Sequence, residues 1–503
     1  MCGILCILGK GFANHKLLTH RGPDASKTTS RGNCTMVFNR LSINDTSGAG
    51  MQPFTSGNKM LMCNGEIFNH KKFSNAKNDC ECLLPLINKD GFFSAVQQIS
   101  GEFAMCMTDG EHMMAARDHM GIRPLFYTRY EGGMALASEV KALLAYDSPI
   151  NIFPPGHVYD SFSDQFSCWY PCFWNSPFNL SLTGEDIRAA LIQSVRDRVD
   201  NTDRSIGFLL SGGLDSSLIV AIAAKILKEP LKTFSIGTKD SPDVAAARIV
   251  AKHLGTDHTE VLFDTEEGLR CLEEVIWSLE SYDTTTVRAS VPMWLLARHI
   301  SEKSECKVIL SGEGSDELMG GYLYFHGAPT PEHFAAENMR RLRLIHQFDG
   351  LRADRCVAAH GLELRVPFLD KDVIDTGMRM QPELKMPRDG VEKWVLRNAF
   401  GDGFLPDEIL WRQKNGMSDA VGYSWVGTVK KYAEDCISDE QFENIKIGAA
   451  GHNVPLSKEE ALYRFIFWKK FGHDDDHLIS EIWRPRWTTE TDPSATKLKN
   501  FIQ

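Results

Sequence analysis

The stretch that most restricts the fold begins at Ile206. Ile206–Leu210 is a short apolar run, Ser211-Gly212-Gly213-Leu214-Asp215-Ser216-Ser217 is a loop of small residues, and Leu218–Leu227 reads as a buried helix. Strand, glycine loop and helix in that order aim backbone N–H groups and the positive end of a helix at one spot, an arrangement that binds phosphate. No lysine follows the glycines, so the loop is not a Walker A loop. The α/β rhythm continues with a strand at Lys232–Gly237, a helix at Val244–Leu254 and a strand at Lys307–Leu310. That last strand runs into Ser311-Gly312-Glu313-Gly314-Ser315-Asp316-Glu317. Strand ends followed by small and acidic residues are where open α/β sheets hold ligands.

This unit needs only part of the chain. At 503 residues the chain is too long for one core and suits two or three domains. Its 43% hydrophobic and 24% charged residues are those of an ordinary globular protein. A net charge of −11 argues against nonspecific binding to nucleic acid or to anionic membranes. No apolar run is fit to span a bilayer, and no secretion signal opens the chain. The thirteen cysteines are scattered without metal-ligand spacing, which fits free thiols in a reducing cytosol.

From Cys2 to about Ser161 the expected elements are short strands broken by Gly and Asn/Asp turns. They are Gly3–Leu8, Thr35–Leu41, Lys59–Cys63, Phe103–Thr108, His112–Ala116 and Leu125–Arg129, with helices near Cys80–Asn88 and Phe92–Ile99. Stacked sheets covered by helices follow. An aromatic, turn-rich stretch near Phe153–His157 leads to a linker ending about Ser181, and helical periodicity resumes from Thr183 to about Val199. Cys2 carries a further implication. If Met1 is removed, one residue holds both a thiol and a free α-amine, and near neutral pH the amine can take the thiol proton.

Four more segments carry chemistry: His20-Arg21-Gly22-Pro23-Asp24, Arg40-Leu41-Ser42-Ile43, Asn64-Gly65-Glu66-Ile67 after a strand, and Asn78-Asp79-Cys80-Glu81 at a helix start. Singly, Asn64-Gly65 reads as a hairpin turn, Asp79 as a helix N-cap and Arg40 as a surface ion pair. In this order behind Cys2, the set resembles the glutaminase domain of the class II (N-terminal nucleophile) glutamine amidotransferases. The resemblance implies that Cys2 attacks the glutamine carboxamide, and that Asn64 and the Gly65 N–H stabilise the oxyanion. It implies a glutamine pocket of Arg40, Leu41, Ser42, Ile43, Asn44, Asn64, Gly65, Glu66 and Asp79. There Arg40 would take the α-carboxylate, and Asp79 with Glu66 the α-ammonium. The first domain is shorter than usual between Asn69 and Asp79, which trims the pocket wall.

The Ser211–Ser217 loop resembles the pyrophosphate loop of the ATP pyrophosphatases, which split ATP between the α and β phosphates. Asp215 and Asp316 would hold Mg²⁺ on the β and γ phosphates, since hard cations prefer carboxylate oxygen. Over nearly its whole length the chain resembles the glutamine-hydrolysing asparagine synthetase family. Further segments that carry this are Ser281–Ser290, Ser311–Tyr322, Glu363–Asp370, Trp411–Lys414 and the tail Trp483–Ala495. The resemblance implies an αββα glutaminase sandwich (residues 2–180, linker included) followed by a doubly wound α/β ATP-pyrophosphatase domain (181–503). It implies ATP contacts from Leu210, Ser211, Gly212, Gly213, Asp215, Ser216, Ile236, Ser311, Gly312 and Lys414. Arg288 and Glu313 would serve aspartate and its adenylate, Glu313 by taking up a proton. Lys414 and Arg288 could instead be solvated surface charge, and Asp316 a helix cap. Glutamine, aspartate and ATP are the implied substrates, a dry ammonia passage would join the two sites, and a cytoplasmic homodimer is implied. Two rivals differ in class: a relative with another carboxylate acceptor, and a non-catalytic sensor of glutamine or nucleotide. The stretch Gly472–His477 reads as a solvated loop.

Overall fold

Short, near-continuous apolar runs, buried on both faces, set most of the longer N-terminal strands. The computed structural model describes residues 1–12, 14–170, 178–239, 241–413, 422 and 424–492. It divides into two compact units. The first is Met1–Cys172, Asp200–Ser205 and Val357–Leu364; the second is Phe173–Val199, Ile206–Cys356 and Arg365–Gln503. Against an expected break near residue 180, two short segments from farther along the chain thus belong with the N-terminal unit.

The strands of the first unit are β1 (Gly3–Leu8), β2 (Ala25–Arg31), β3 (Cys34–Arg40), β4 (Phe54–Ser56), β5 (Lys59–Ile67) and β6 (Gly101–Thr108). They continue with β7 (Met113–Arg117), β8 (Phe126–Tyr130), β9 (Gly133–Ala137), β10 (Ile150–Ile152), β11 (His157–Asp160) and β12 (Gln165–Cys168). Two six-stranded sheets result, in the orders β10-β8-β9-β1-β3-β2 and β12-β11-β7-β6-β5-β4. Their facing sides share one core. Ile4, Cys6, Met36 and Phe38 come from one sheet, and Met60, Met62, Ala104, Cys106 and Ala115 from the other. Between β5 and β6 run helices Leu83–Asp90 and Phe92–Gln98, which bury Leu83, Leu84, Ile87, Phe92 and Val96. β2 was not expected from sequence because Ala25–Arg31 has no apolar alternation; it is a mostly exposed edge strand held by pairing to β3.

Two differences from expectation bear on the sites. β5 runs on to Ile67, so Asn64 and Gly65 lie inside a strand, opposite Ala104 and Phe103, and form no hairpin turn. Asn78, not Asp79, caps the turn at Asp79–Cys82, accepting from the Cys80 N–H at 3.1 Å.

In the second unit β13 (Ile206–Leu209), β14 (Lys232–Gly237), β15 (Asp257–Leu262) and β16 (Val308–Leu310) are parallel, in the order β15-β14-β13-β16. Helices Leu214–Leu227, Pro242–Leu254 and Thr284–Lys303 connect them. The order reverses between β13 and β16, which opens a crevice at their carboxyl ends. The helix after β13 begins at Leu214, four residues earlier than its apolar run, so Asp215 and Ser216 sit in its first turn. Asp316 likewise lies inside a short helix, Ser315–Met319, with Gly314 at the capping position. The expected loop at Gly472–His477 is a 3₁₀ turn at Asp474–Leu478. Gly472, His473, Asp474 and His477 are exposed as expected, while Asp475 is buried and Asp476 pairs with Arg464.

Candidate active sites

In the first unit, Cys2 precedes β1 and is half-buried against the sandwich core. Its Sγ lies 3.5 Å from the Leu41 N–H and 3.7 Å from the Leu41 carbonyl. Burial pushes the thiol pKa up, and the neighbouring ammonium and the Leu41 backbone push it down. Met1 precedes it here, so the Cys2 nitrogen is in a peptide bond. The Met1 ammonium donates to the Leu362 carbonyl at 3.0 Å, and burial drives its pKa down to about 5. That pocket therefore favours a neutral amine, the form able to accept a proton.

Asn64 stands out electrostatically. It is 0% exposed, and neither its Nδ2 nor its Oδ1 has a hydrogen-bond partner among the described residues. An unpaired buried amide costs about 1–3 kcal/mol, so such a group calls for an explanation. A Cβ on Gly65 would run into the Glu102 carbonyl of β6, so only glycine fits there.

The polar cluster beside it is tightly joined. Asn44 Nδ2 donates to Glu66 Oε2 at 2.5 Å and to Asp79 Oδ1 at 3.2 Å. Asp79 Oδ2 accepts the Ile67 N–H at 2.6 Å, and burial raises the Asp79 pKa. Arg40 is buried and is no surface ion pair: its guanidinium donates to the carbonyls of Asn44, Asp45 and Ser47. The Ser42–Asp45 loop is clamped by Asp24, whose carboxylate accepts the Ser42 N–H at 2.8 Å. It is clamped further by a segment that sequence reading missed. Asn201 Nδ2 donates to Glu66 Oε2 at 3.1 Å, Asp203 accepts the Asp45 N–H at 2.9 Å, and Arg204 donates to the Ser42 carbonyl at 2.7 Å. No local pattern in Asp200–Ser205 announces this.

In the second unit, a cleft of about 1710 Å³, open mouth included, lies at the carboxyl ends of β13, β14 and β16. Leu210, Ser211, Gly213, Asp215, Ser216, Ile236, Ser311, Gly312, Glu313 and Asp316 line it. Leu209, Phe234, Met293 and Leu296 add an apolar wall beside these polar loops. The loop is folded by its own serines: Ser211 Oγ and Ser216 Oγ lie 3.0 Å apart, and the Ser211 N–H donates to Ser216 Oγ at 3.2 Å. Gly212 has φ +71°, and a Cβ there would strike the helix Pro242–Leu254. A Cβ on Gly312 would come 2.7 Å from Ser216 N, so glycine lets the two loops touch.

Asp215 and Asp316 converge as expected of a cation site, and the cation between them is Lys393. Its Nζ lies 2.7 and 2.6 Å from the two Asp215 oxygens and 2.5 Å from Asp316 Oδ1. Ser315 Oγ also donates to Asp215, at 2.7 Å. Sequence reading missed Lys393, which no motif marks. Two carboxylates that can share one cation suit Mg²⁺ carried in by substrate phosphates, since that ion keeps several waters and few protein ligands.

Glu313 Oε2 accepts from Arg352 Nη2 at 2.7 Å, and Arg352 Nη1 donates to Asp349 at 2.8 Å. Tyr322 donates to Glu317 at 2.6 Å and lies 3.1 Å from Asp349. Burial, then Asp349 and Asp316, push the Glu317 pKa well up. Arg288 is not brought to the cleft. It is buried, and both arms of its fork meet Glu459 at 2.6 Å, with Asp492 at 3.0 Å. It is therefore neither a solvated charge nor open to phosphate. Lys414 lies outside the described residues; Arg412 and Gln413 beside it line the cleft.

A family model described as a glutamine amidotransferase domain matches residues 1–162, and one described as asparagine synthase matches 186–347 and 328–496. The glutamine-hydrolysing asparagine synthetase of Gallus gallus is 38% identical over 563 residues, covering 100% of this chain and 99% of its own. That of Homo sapiens is 38% identical over 568 residues with the same coverage, and that of Triphysaria versicolor is 38% identical over 98% of this chain and 93% of its own. Among solved structures, glutamine phosphoribosylpyrophosphate amidotransferase from B. subtilis, complexed with ADP and GMP, is 16% identical. It covers 46% of this chain and 65% of its own with a TM-score of 0.29, too low to weigh on the fold.

Proposed function

We propose the following division of labour, from the premise that the chain belongs to the glutamine-hydrolysing asparagine synthetase family. The family reaction hydrolyses glutamine to glutamate and ammonia. It activates aspartate with ATP as β-aspartyl-AMP, releasing pyrophosphate, and closes when ammonia displaces AMP to give asparagine.

After loss of Met1, the Cys2 amine takes the thiol proton and the thiolate attacks the glutamine carboxamide. Asn64 Nδ2 and the Gly65 N–H receive the oxyanion; support comes from the buried Asn64 amide, which has no partner among the described residues. Arg40 exchanges loop carbonyls for the substrate carboxylate, and Asp79 and Glu66 meet its ammonium. Water then frees glutamate from the thioester.

At the second site Leu210 and Ile236 border the adenine, and the Ser211–Ser216 and Ser311–Gly312 loops cradle the phosphates. Mg²⁺, when bound by Asp215 and Asp316, would neutralise charge on the departing pyrophosphate. Lys393 moves from bridging the two carboxylates to facing phosphate, and Lys414 has the role the family resemblance gives it, offsetting phosphate charge. Glu313 takes the proton from the ammonia adduct. Arg288 serves by fixing the helix Thr284–Lys303, whose Thr285 and Ala289 line the cleft. A homodimer in the cytoplasm, with ammonia passing through the protein, completes the reading. Among the described residues no helix is long and apolar enough to cross a membrane.

The observation that carries the reading is the presence of both family domains on one chain, each with its own polar site. Pyrophosphate release is measured with ATP, Mg²⁺ and glutamine, with and without aspartate, while asparagine is followed. Aspartate-dependent pyrophosphate matched by asparagine is expected. Glutamate production without it would move the acceptor to another carboxylate.

A further inference from the structure

The turn His20-Arg21-Gly22-Pro23-Asp24 holds a charged cluster that the reaction above does not use. Arg21 is fully buried and divides its fork. Its Nε donates to the Cys2 carbonyl at 3.0 Å, and its Nη1 donates to Glu139 Oε1 at 2.8 Å. Glu139, also buried, takes Lys141 Nζ at 2.5 Å and His20 Nε2 at 3.2 Å.

Position gives this cluster its meaning. The β1 ladder begins at Gly3, paired with Asn39, so Cys2 lies one residue outside it. Chain ends beyond a ladder fray unless tied down. Ser138, beside Glu139, ties β1 from within: its Oγ accepts the Ile4 N–H at 3.0 Å, and its own N–H donates to the Ile4 carbonyl at 3.0 Å. The turn is seated on β3, because a Cβ on Gly22 would strike the Asn39 carbonyl. Its far end reaches the glutamine side, where the Asp24 N–H donates to the Arg40 carbonyl at 3.0 Å.

We propose that Glu139 is a positioning residue for the nucleophile, holding Arg21 so that its Nε fixes the Cys2 carbonyl. The proposal rests on Cys2 being the nucleophile. Glu139 touches no substrate; it acts through Arg21 on where the thiolate stands, and a misplacement near 1 Å costs about 10²-fold in rate.

The test uses the full chain. Glu139→Gln should lower kcat for glutamine hydrolysis about 10²-fold with KM changed less than about threefold, while ammonia-dependent synthesis stays within about twofold. The double variant Arg21→Gln with Glu139→Gln should be no slower than Arg21→Gln alone, since both act through one contact. A rise in KM at unchanged kcat, equal loss of both activities, or additive losses would overturn the proposal. Should Glu139→Gln not fold, Arg21→Lys keeps the charge facing Glu139 but loses the fork, and full glutaminase activity there would overturn it. Cys2→Ala is assayed in parallel. If it still hydrolyses glutamine, the nucleophile assignment falls and the proposal with it; an inactive Cys2→Ala beside a fully active Glu139→Gln removes the proposal alone.

Discussion

Asn64→Ala should uncouple stability from activity. Most buried polar truncations break a hydrogen bond, but the Asn64 amide has none among the described residues. Removing it relieves an unpaired group costing about 1–3 kcal/mol and leaves a small cavity costing about 1 kcal/mol. The net lies between neutral and about 2 kcal/mol stabilising, a rise of up to about 4–8 °C in the melting of a unit this size. Loss of an oxyanion donor should meanwhile lower kcat for glutamine hydrolysis about 10²–10³-fold. The assays are a thermal melt, glutamate release, and asparagine formation from ammonia, which should be unchanged. A melt lowered by several degrees would mean that Asn64 is a structural partner. Equal loss of glutamine- and ammonia-dependent synthesis would refute its place in the first half-reaction.

Cys2→Ala should abolish asparagine formation from glutamine and spare formation from ammonia; parallel loss would refute the division between sites. Intact mass should show Met1 removed, and a retained Met1 alongside glutaminase activity would rule out the α-amine as base. Lys393→Met leaves Asp215 and Asp316 facing each other without their cation and should cost about 3–5 kcal/mol, partly restored by Mg²⁺ with ATP in a thermal shift. A melt insensitive to the change would show that the pair needs no cation. Lys385 is buried with its Nζ on the Leu318 carbonyl at 3.2 Å, and burial lowers its pKa to about 7. Because the unfolded chain keeps that proton to about pH 10.4, it binds more protons between these values, and stability should rise with pH across this window by at most on the order of 5 kcal/mol. Lys385→Met should flatten that rise in a pH series of melts, and an identical slope would refute the assignment.

Legibility differs between elements for physical reasons. β1 and β14 lie where short runs of strand-forming residues put them, because each pattern is local to the strand. β2 was hidden because an exposed edge strand can be polar throughout and be held by its neighbour alone. The helix after β13 starts early because a glycine loop feeds it directly, not because Leu214–Ser217 are apolar.

The sites divide in the same way. Features confined to short runs were readable from the chain alone: the strand and glycine loop at Ile206–Ser217, the acidic loop after β16, and the order of the motifs that names the family. Residue type and spacing carry that information without any long-range contact. Only the tertiary structure decided which charges meet. Lys393 reaches Asp215 from 178 positions away, and Glu459 fills the fork of Arg288 from 171 away. Asn201 closes on Glu66 across 135, and Glu139 grips Arg21 across 118. A buried charge must find its counter-charge wherever packing brings one, and sequence separation places no constraint on that choice.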